Sequence, residues 1–190
     1  MKDKTILDLC GGTGAWSKPY LDNGYRVINV TLPDYDIRNY IPHGNIYGIL
    51  AAPPCTQFSL AAGKKLQDRD TKEGLEIVYA CLRIIWDCKP KFWALENPTG
   101  YMRRFLGKPP FSFRQWEFGD MGIKPTDIWG FFNFPTKKIK EKPHKKDLLY
   151  ISAGCSSRRE TRIKGVAMRN SEIASITPIG FSKAFYEANK

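Results

Sequence analysis

Four short apolar segments, each followed by turn-forming residues, organise the first half of the chain. They cover residues 5–9, 25–30, 46–51 and 92–95. Helical patterns separate them, and the longer one, from Thr71 to Cys88, repeats apolar residues at three- and four-residue spacing. Strands that alternate with helices are typical of a parallel sheet covered on both faces. We therefore predict an α/β fold with a Rossmann-like, doubly wound, mostly parallel sheet.

The second half of the chain has a different character. Two aromatic, strand-like segments, residues 111–118 and 127–134, predict an antiparallel pair at one edge of the sheet. A short helix is expected from Gly180 to Ala188. The 190 residues contain no internal repeat and no clear linker, so we expect a single domain.

The composition excludes several classes of protein. The five cysteines are odd in number and form no C-x-x-C pair, and only two histidines are present. A disulfide framework or a zinc cluster is therefore not expected, and we predict no metal site. No apolar stretch approaches the length of a membrane span, and residues 1–5 do not resemble a signal peptide. We expect a cytoplasmic protein with no membrane partner.

The chain is strongly basic, with 30 lysines and arginines against 19 acids and a net charge of +11. The excess is concentrated in residues 137–169, which hold eleven basic residues and three acids. Such a block is either a solvated face or a surface that binds a polyanion such as nucleic acid. The candidates for contact with a phosphate backbone are Arg158, Arg159 and Arg162. For each of them a solvated loop position is an equal alternative.

A glycine-rich turn follows the first strand. It runs from Asp8 through Cys10, Gly12 and Gly14 into a helix expected over residues 15–23. Glycines let a ligand approach the backbone, and a helix start presents free N–H groups, so this turn predicts a nucleotide pocket. The signal is weak alone, because glycine turns join strands to helices in many folds.

A cysteine on a stiff turn follows the third apolar segment. Pro53 and Pro54 stop the sheet before Cys55, because proline fixes φ and donates no hydrogen bond. Glu96 and Asn97 end the next segment. Neighbouring parallel strands put their carboxyl ends side by side, so Cys55 and Glu96 are expected to face one pocket. The alternatives are a buried core cysteine and a carboxylate that stabilises a helix start.

A thiol and a carboxyl group beside a nucleotide-like pocket indicate chemistry at carbon 5 of cytosine. C5 is a poor nucleophile until a thiolate adds to C6, which makes C5 able to attack an electrophilic methyl group. A carboxyl group at N3 stabilises the charge that develops in the ring. Loss of the C5 proton and departure of the thiolate then restore the aromatic ring.

Three motifs of the chain resemble those of DNA cytosine-5 methyltransferases in order and spacing. They are Asp8 to Gly14, Pro53-Pro54-Cys55 with Phe58-Ser59, and Glu96-Asn97. The resemblance implies a class I methyltransferase fold, Cys55 as the nucleophile, Glu96 as the partner of N3, and S-adenosylmethionine as the cofactor. Asp36 and Ile37 resemble the family's short D-I motif, in which the Asp meets the adenine of the cofactor. The implied cofactor-binding residues are Asp8, Cys10, Gly12, Gly14, Asp36, Ile37 and Pro53.

The chain departs from the family pattern at four places. Cys10 replaces a phenylalanine beside the cofactor, and Trp16 is either its substitute or a core residue. Thr31 replaces the acid for the ribose hydroxyls, and Asp34 is either a replacement or a turn residue. A helix between the second strand and the D-I motif is missing. The later Q-x-R-x-R motif is not recognisable, and the nearest stretch contains Lys124.

The resemblance also implies how the single domain is arranged. Residues 1–105 are the cofactor and catalytic core, 106–170 a reduced, basic and aromatic region facing nucleic acid, and 171–190 the C-terminal helix. A full target-recognition domain is absent, so we expect relaxed or short sequence specificity, with Asn97 and Lys124 on the DNA side. The sequence is closest in character to small phage-type members, which implies the host cytoplasm.

DNA is the expected partner of the chain, which is expected to act as a monomer or a homodimer. One alternative is transfer of a different one-carbon or larger group to C5, or action on a free nucleotide, although the charge of +11 favours a polymer. Two further alternatives stay open. One is methylation of RNA such as a tRNA, because the same thiol and carboxyl chemistry serves there. The other is a catalytically weak nucleic-acid-binding protein on the same fold, which the departures at Cys10 and Thr31 motivate.

Overall fold

The structure is a computed structural model that describes residues 4–60, 65–144 and 175–190. Their fold is mixed α/β, as predicted. The strands are β1 (Thr5–Leu9), β2 (Arg26–Val30), β3 (Ile46–Ala51), β4 (Phe92–Pro98), β5 (Phe111–Arg114) and β6 (Pro125–Phe131). The α-helices are α1 (Lys18–Asp22), α2 (Thr71–Cys88), α3 (Arg103–Leu106) and α4 (Ile179–Asn189). Short 3-10 helices cover Leu66–Asp68 and Gln115–Phe118.

The strands of the described residues form one six-stranded sheet in the order β2-β1-β3-β4-β6-β5. β1 pairs in parallel with β2 and β3, and β3 pairs in parallel with β4. The predicted aromatic pair is antiparallel, and its strand β6 also runs antiparallel to β4. The four parallel strands therefore end side by side, at the edge where open α/β sheets bind ligands.

Apolar side chains cover both faces of the sheet, because neighbours along a strand point to opposite sides. On one face, Leu7 belongs to a core cluster with α2 residues such as Ile84. On the other face, Ile6 belongs to a cluster with Tyr20 of α1 and Phe181 of α4. Helices therefore shield both sides of the strands and leave the carboxyl ends of β1 to β4 to form a site.

The longest helix, α2, is fixed at both ends. Asp70 caps its start by accepting a hydrogen bond from the Glu73 backbone N–H at 2.9 Å. Lys89 adopts a left-handed conformation at its end. The bounds of α2 are those that the apolar spacing predicts. Within the described ranges, no helix combines the length and the apolar character that crossing a membrane requires.

Strand β4 is longer than the sequence predicts. The sequence pattern ends this strand at Leu95, but the observed strand continues to Pro98. The physical reason is β6, which pairs antiparallel with β4 and places Ile128 opposite Glu96 and Asp127 opposite Asn97. Glu96 and Asn97 are therefore held by a sheet and not by a loop.

Helix α1 is shorter than the sequence predicts. The pattern starts a helix at Ala15, but the observed helix begins at Lys18. Gly12 and Gly14 have φ angles of +53° and +70°, which the glycine residue type permits. Turn geometry therefore extends from the glycines to the residues just before the helix.

Candidate active site

The loop after β3 presents Cys55 at the edge where the parallel strands end. Its backbone carbonyl accepts hydrogen bonds from the N–H groups of Phe58 and Ser59, at 2.9 and 2.8 Å. We call residues 53–59 the Cys55 turn. The Phe58 ring is fully buried and anchors this turn to the core, whereas Cys55 is only partly buried. Partial exposure is what a reacting thiol requires and what a core cysteine lacks.

Strand β4 and the residues just after it hold the Cys55 turn in place. Asn97 Nδ2 donates a buried hydrogen bond to Pro53 O at 3.0 Å. Further along, Tyr101 N donates to Phe58 O at 2.8 Å. A Cβ atom at Gly100 would lie 2.3 Å from the same carbonyl oxygen, so this close approach requires glycine. The turn is therefore positioned by the strand that carries Glu96.

Glu96 follows the last paired residues of β3 and β4, Ala51 and Leu95, at the same edge of the sheet. Only 17% of its side chain is exposed. Lys124 Nζ lies 3.9 Å from Glu96 Oε1. Lys124 is the residue singled out where the Q-x-R-x-R motif is missing, and it contacts the predicted catalytic carboxyl.

Charge and burial act on both reactive groups. Burial raises the pKa of the Glu96 carboxyl, Lys124 opposes this shift, and Asp127 adds to it. Burial also raises the pKa of the Cys55 thiol, while Lys124 lowers it and Glu96 raises it. Burial therefore disfavours the charged form of both groups, and Lys124 supplies the positive charge that favours ionisation of each.

Asp127, which the sequence analysis missed, supports this edge from β6. The residue is fully buried. Its two oxygens accept hydrogen bonds from Arg103 Nε and Nη2 at 2.6 and 2.7 Å, and from the hydroxyls of Thr99 and Ser112 at 2.9 and 2.8 Å. A buried carboxylate with four charge-assisted or neutral donors is well satisfied. The only sequence signal was an acid inside an apolar strand, Asp127-Ile128-Trp129.

The glycine turn is held by polar side chains from β1 and β2. Asp8 is fully buried, and Ser17 Oγ donates to its Oδ2 at 2.5 Å. Asn29 Nδ2 donates to Gly12 O at 3.0 Å. A Cβ at Gly11 would lie 2.3 Å from Asp8 Cγ, so this position also requires glycine. In the described part of the chain, Asp8 Oδ1 and Asn29 Oδ1 are buried without a hydrogen-bond partner.

The buried Asp8 carboxyl predicts a pH-dependent stability. Burial raises its folded-state pKa from 3.8 to about 6, against the effect of Ser17. The contribution of the Asp8 carboxyl to the free energy of unfolding is therefore complete below about pH 4, and it is lost as the pH rises through about 6. Asp8→Asn does not titrate, so it should gain on the order of 2–3 kcal/mol relative to the wild type across this range. Urea denaturation between about pH 4 and 7 measures the difference.

The exposed pair of Lys18 and Asp22 provides the control for this prediction. Asp22→Asn should leave the pH dependence of the free energy of unfolding unchanged, because exposed ion pairs contribute little. If the free energy of unfolding changes with pH in the same way for the wild type and for Asp8→Asn, the prediction is wrong.

A cavity of about 250 Å³ opens at the exits of β1 and β2. Its lining consists of Cys10, Val30, Thr31, Leu32, Tyr35, Asp36, Ile37, Arg38, Pro54, Glu73 and Ile77. Three predicted cofactor-binding residues, Cys10, Asp36 and Ile37, are among them. Pro53 is buried and does not line the cavity, whereas Pro54, the next residue of the Cys55 turn, does. The cavity therefore lies between the glycine turn and the Cys55 turn.

Asp36 in this cavity is paired with Arg38. Arg38 Nε donates to both carboxylate oxygens at 2.9 and 3.0 Å, and its Nη2 donates to Oδ2 at 2.5 Å. The backbone N–H of Arg38 also donates to Oδ1, at 3.0 Å. These contacts hold the pKa of the Asp36 carboxyl below its ordinary value.

Six predicted cofactor residues do not line the cavity, namely Asp8, Gly12, Gly14, Trp16, Asp34 and Pro53. Trp16 is 2% exposed and packs against Phe181 and Phe185 with ring centroids 5.8 and 5.4 Å apart, which is the core position given as its alternative. Asp34 is exposed on the loop after β2. Glu73 of α2, which the sequence analysis missed, is the acid that lines the cavity besides Asp36. Arg158, Arg159 and Arg162 lie outside the described residues.

Comparison with known proteins connects this geometry with one family. Residues 18–105 match the family model described as C-5 cytosine-specific DNA methylase. The match covers somewhat less than half of the chain, so it is this segment that resembles the family. The family that the motifs predict is therefore confirmed. The matched segment of the chain includes Cys55 and Glu96, whereas the glycine turn lies before it.

A solved structure shares the fold of this methylase segment and its surroundings. It is described as a DNA modification methyltransferase encoded within an E. coli prophage, and it matches with a TM-score of 0.51 at 18% identity. The match covers 72% of this chain and 51% of the other, so the chain spans about half of that protein's length. At this identity the likeness concerns the fold alone. No curated protein matches the chain.

The C-5 cytosine-specific DNA methylase family generally uses S-adenosylmethionine. Its name implies DNA as the substrate. The comparisons support the prediction of a DNA cytosine-5 methyltransferase. The phage-type character stays a prediction, because the prophage origin is that of the structural neighbour.

Proposed function

We propose that this chain transfers a methyl group from S-adenosylmethionine to carbon 5 of cytosine in DNA. The observation that carries the proposal is the placement of Cys55 and Glu96 at the adjacent ends of β3 and β4, joined by the bond from Asn97 Nδ2 to Pro53 O. The proposed fold is a single Rossmann-like, doubly wound methyltransferase domain without a full target-recognition domain.

The residues around the cavity fit S-adenosylmethionine. Val30 and Ile77 provide apolar walls, and Asp36 provides a carboxylate, within a cavity of about 250 Å³. The nearby glycine turn holds the buried and unpartnered Asp8 Oδ1, a group with room for one more donor. When bound, the cofactor supplies an electrophilic methyl group. Cys10, Gly12, Gly14, Asp36 and Ile37 would hold it.

The chemistry of the base then rests on two side chains. The Cys55 thiolate forms a bond to C6 of cytosine, and the electron pair of the C5–C6 double bond becomes available at C5 for the methyl group. The Glu96 carboxyl donates a hydrogen bond to N3, which stabilises the charge developing in the ring. A water molecule accepts the C5 proton, and the Cys55 sulfur leaves as the thiolate that entered, which restores the aromatic ring.

Substrate binding requires that a cytosine leaves the stacked duplex, which costs about a few kcal/mol. Phosphate contacts offset this cost and carry no sequence information, so relaxed or short specificity follows. The net charge of +11 supports a polymeric anion as the substrate. Lys124 is proposed to face the DNA from the active-site edge, and Arg158, Arg159 and Arg162 to contact its backbone. Asn97, predicted on the DNA side, is fully buried and holds Pro53 O instead.

Bisulfite sequencing of DNA from cells that express the protein tests the proposal. Cells with the wild type should show methylated cytosines that are absent from cells with Cys55→Ala, and the modified positions report the target sequence. Transfer of tritiated methyl groups to duplex DNA and to tRNA, compared in vitro, separates DNA from RNA as the substrate. Equal bisulfite patterns in both cell lines, together with no transfer to either polymer, would refute the proposal.

A further inference from the structure

We infer that Glu73, on the first turn of α2, binds the ribose hydroxyls of the cofactor. This inference rests on the proposed function and extends it to a residue outside the family's motifs. It concerns the adenosine part of the ligand, whose ribose carries two neighbouring hydroxyl donors. One carboxylate with two free oxygens can accept a hydrogen bond from each of them.

The exit of β2 does not supply this carboxylate. Dinucleotide-binding sheets commonly place an acid near the end of the second strand for the ribose hydroxyls. In this chain that position is Thr31, which lines the cavity, and Asp34 is exposed and does not line it. Asp36 lines the cavity, but Arg38 donates hydrogen bonds to both of its oxygens. The β2 side therefore lacks a carboxylate with unoccupied acceptors.

Glu73 meets this requirement from the other wall of the cavity. Its backbone is fixed by the hydrogen bond to Asp70 Oδ1 at 2.9 Å. Ile77, one turn later on α2, lines the same cavity, so this face of the helix is directed at the site. No residue in the described ranges donates a hydrogen bond to the Glu73 carboxylate. Its acceptors are therefore available to a ligand.

The positive charge of Arg38 lies within electrostatic reach of Glu73 and Glu76. Glu76 offers the matched control, because it stands on the same helix but lines a neighbouring, open depression, which shares Arg38 with the cavity. Any general effect of removing a negative charge near Arg38 should therefore appear in both variants. A loss of ligand affinity in the Glu73 variant alone indicates that Glu73 contacts the ligand.

Calorimetric titration with S-adenosylhomocysteine and its 2′-deoxy and 3′-deoxy analogues tests the inference. The wild type should bind at least one deoxy analogue about tenfold more weakly than the parent compound, because a carboxylate acceptor loses its donor. Glu73→Gln should bind the parent about tenfold more weakly and discriminate less against that analogue. Glu76→Gln should match the wild type for all three ligands.

The outcomes separate this inference from the proposed function. If the wild type binds S-adenosylhomocysteine and Glu73→Gln shows the same affinities and the same discrimination, the Glu73 assignment is wrong while the cofactor site stands. If folded wild-type protein binds none of the ligands at millimolar concentration, the proposed function fails and the inference fails with it. A circular dichroism spectrum of each variant verifies the fold before titration.

Discussion

Cys55→Ala is expected to abolish methyl transfer to DNA and to leave the fold intact. The thiolate makes C5 nucleophilic, and no other described group at the edge of β3 and β4 can form that bond, so the rate should fall by roughly four orders of magnitude or more. Cys55 is only partly buried and makes its turn contacts through its backbone carbonyl, which alanine retains. The measurement is transfer of tritiated methyl groups to duplex DNA, with circular dichroism to verify folding.

Cys88→Ala is the matched control, because Cys88 is a partly buried cysteine on α2, away from the strand exits. It should retain wild-type activity. DNA that contains 5-fluorocytosine should form a covalent complex with the wild type and with Cys88→Ala, since fluorine cannot leave C5 as a proton does, and none with Cys55→Ala. Full activity in Cys55→Ala would disprove the assignment of the nucleophile.

The parts of the fold that the sequence predicts are those fixed by local signals. α2 has the predicted bounds because its apolar face repeats at helical spacing and Asp70 caps its start. β3 ends at Ala51 because two prolines follow within three residues. Adjacent parallel strands then bring Cys55 and Glu96 to the same edge, as the motif spacing predicts.

The parts that the sequence does not predict depend on partners distant along the chain. β4 continues through Glu96 because β6, which pairs with it, arrives almost thirty residues later. Trp16 lies in the core because α4, near the end of the chain, packs against it. Glu73 enters the cavity only when α2 packs over the strand exits, so no spacing rule along the chain singles it out. Tertiary contacts therefore decide which acids surround the proposed cofactor site.

Glu96→Ala is expected to lower the rate of methyl transfer by on the order of 10²–10³, because it removes the group that stabilises charge on the ring at N3. Glu96→Gln should lose less, since an amide N–H can still donate to N3 but cannot titrate. Burial raises the pKa of the Glu96 carboxyl, so the wild type keeps its proton to a higher pH than an exposed glutamate does. The ratio of the wild-type rate to the Glu96→Gln rate should therefore fall as the pH rises through that pKa.

Taking this ratio reduces the opposing effect of Cys55, because its thiolate fraction grows with pH in both proteins. Glu117→Gln is the control, because Glu117 has the same 17% side-chain exposure and a lysine partner, Lys137, at 2.9 Å. Its ratio to the wild type should stay constant with pH. A constant ratio for Glu96→Gln as well would show that Glu96 donates no proton to the ring, and its role would then be limited to holding Lys124 beside the thiol.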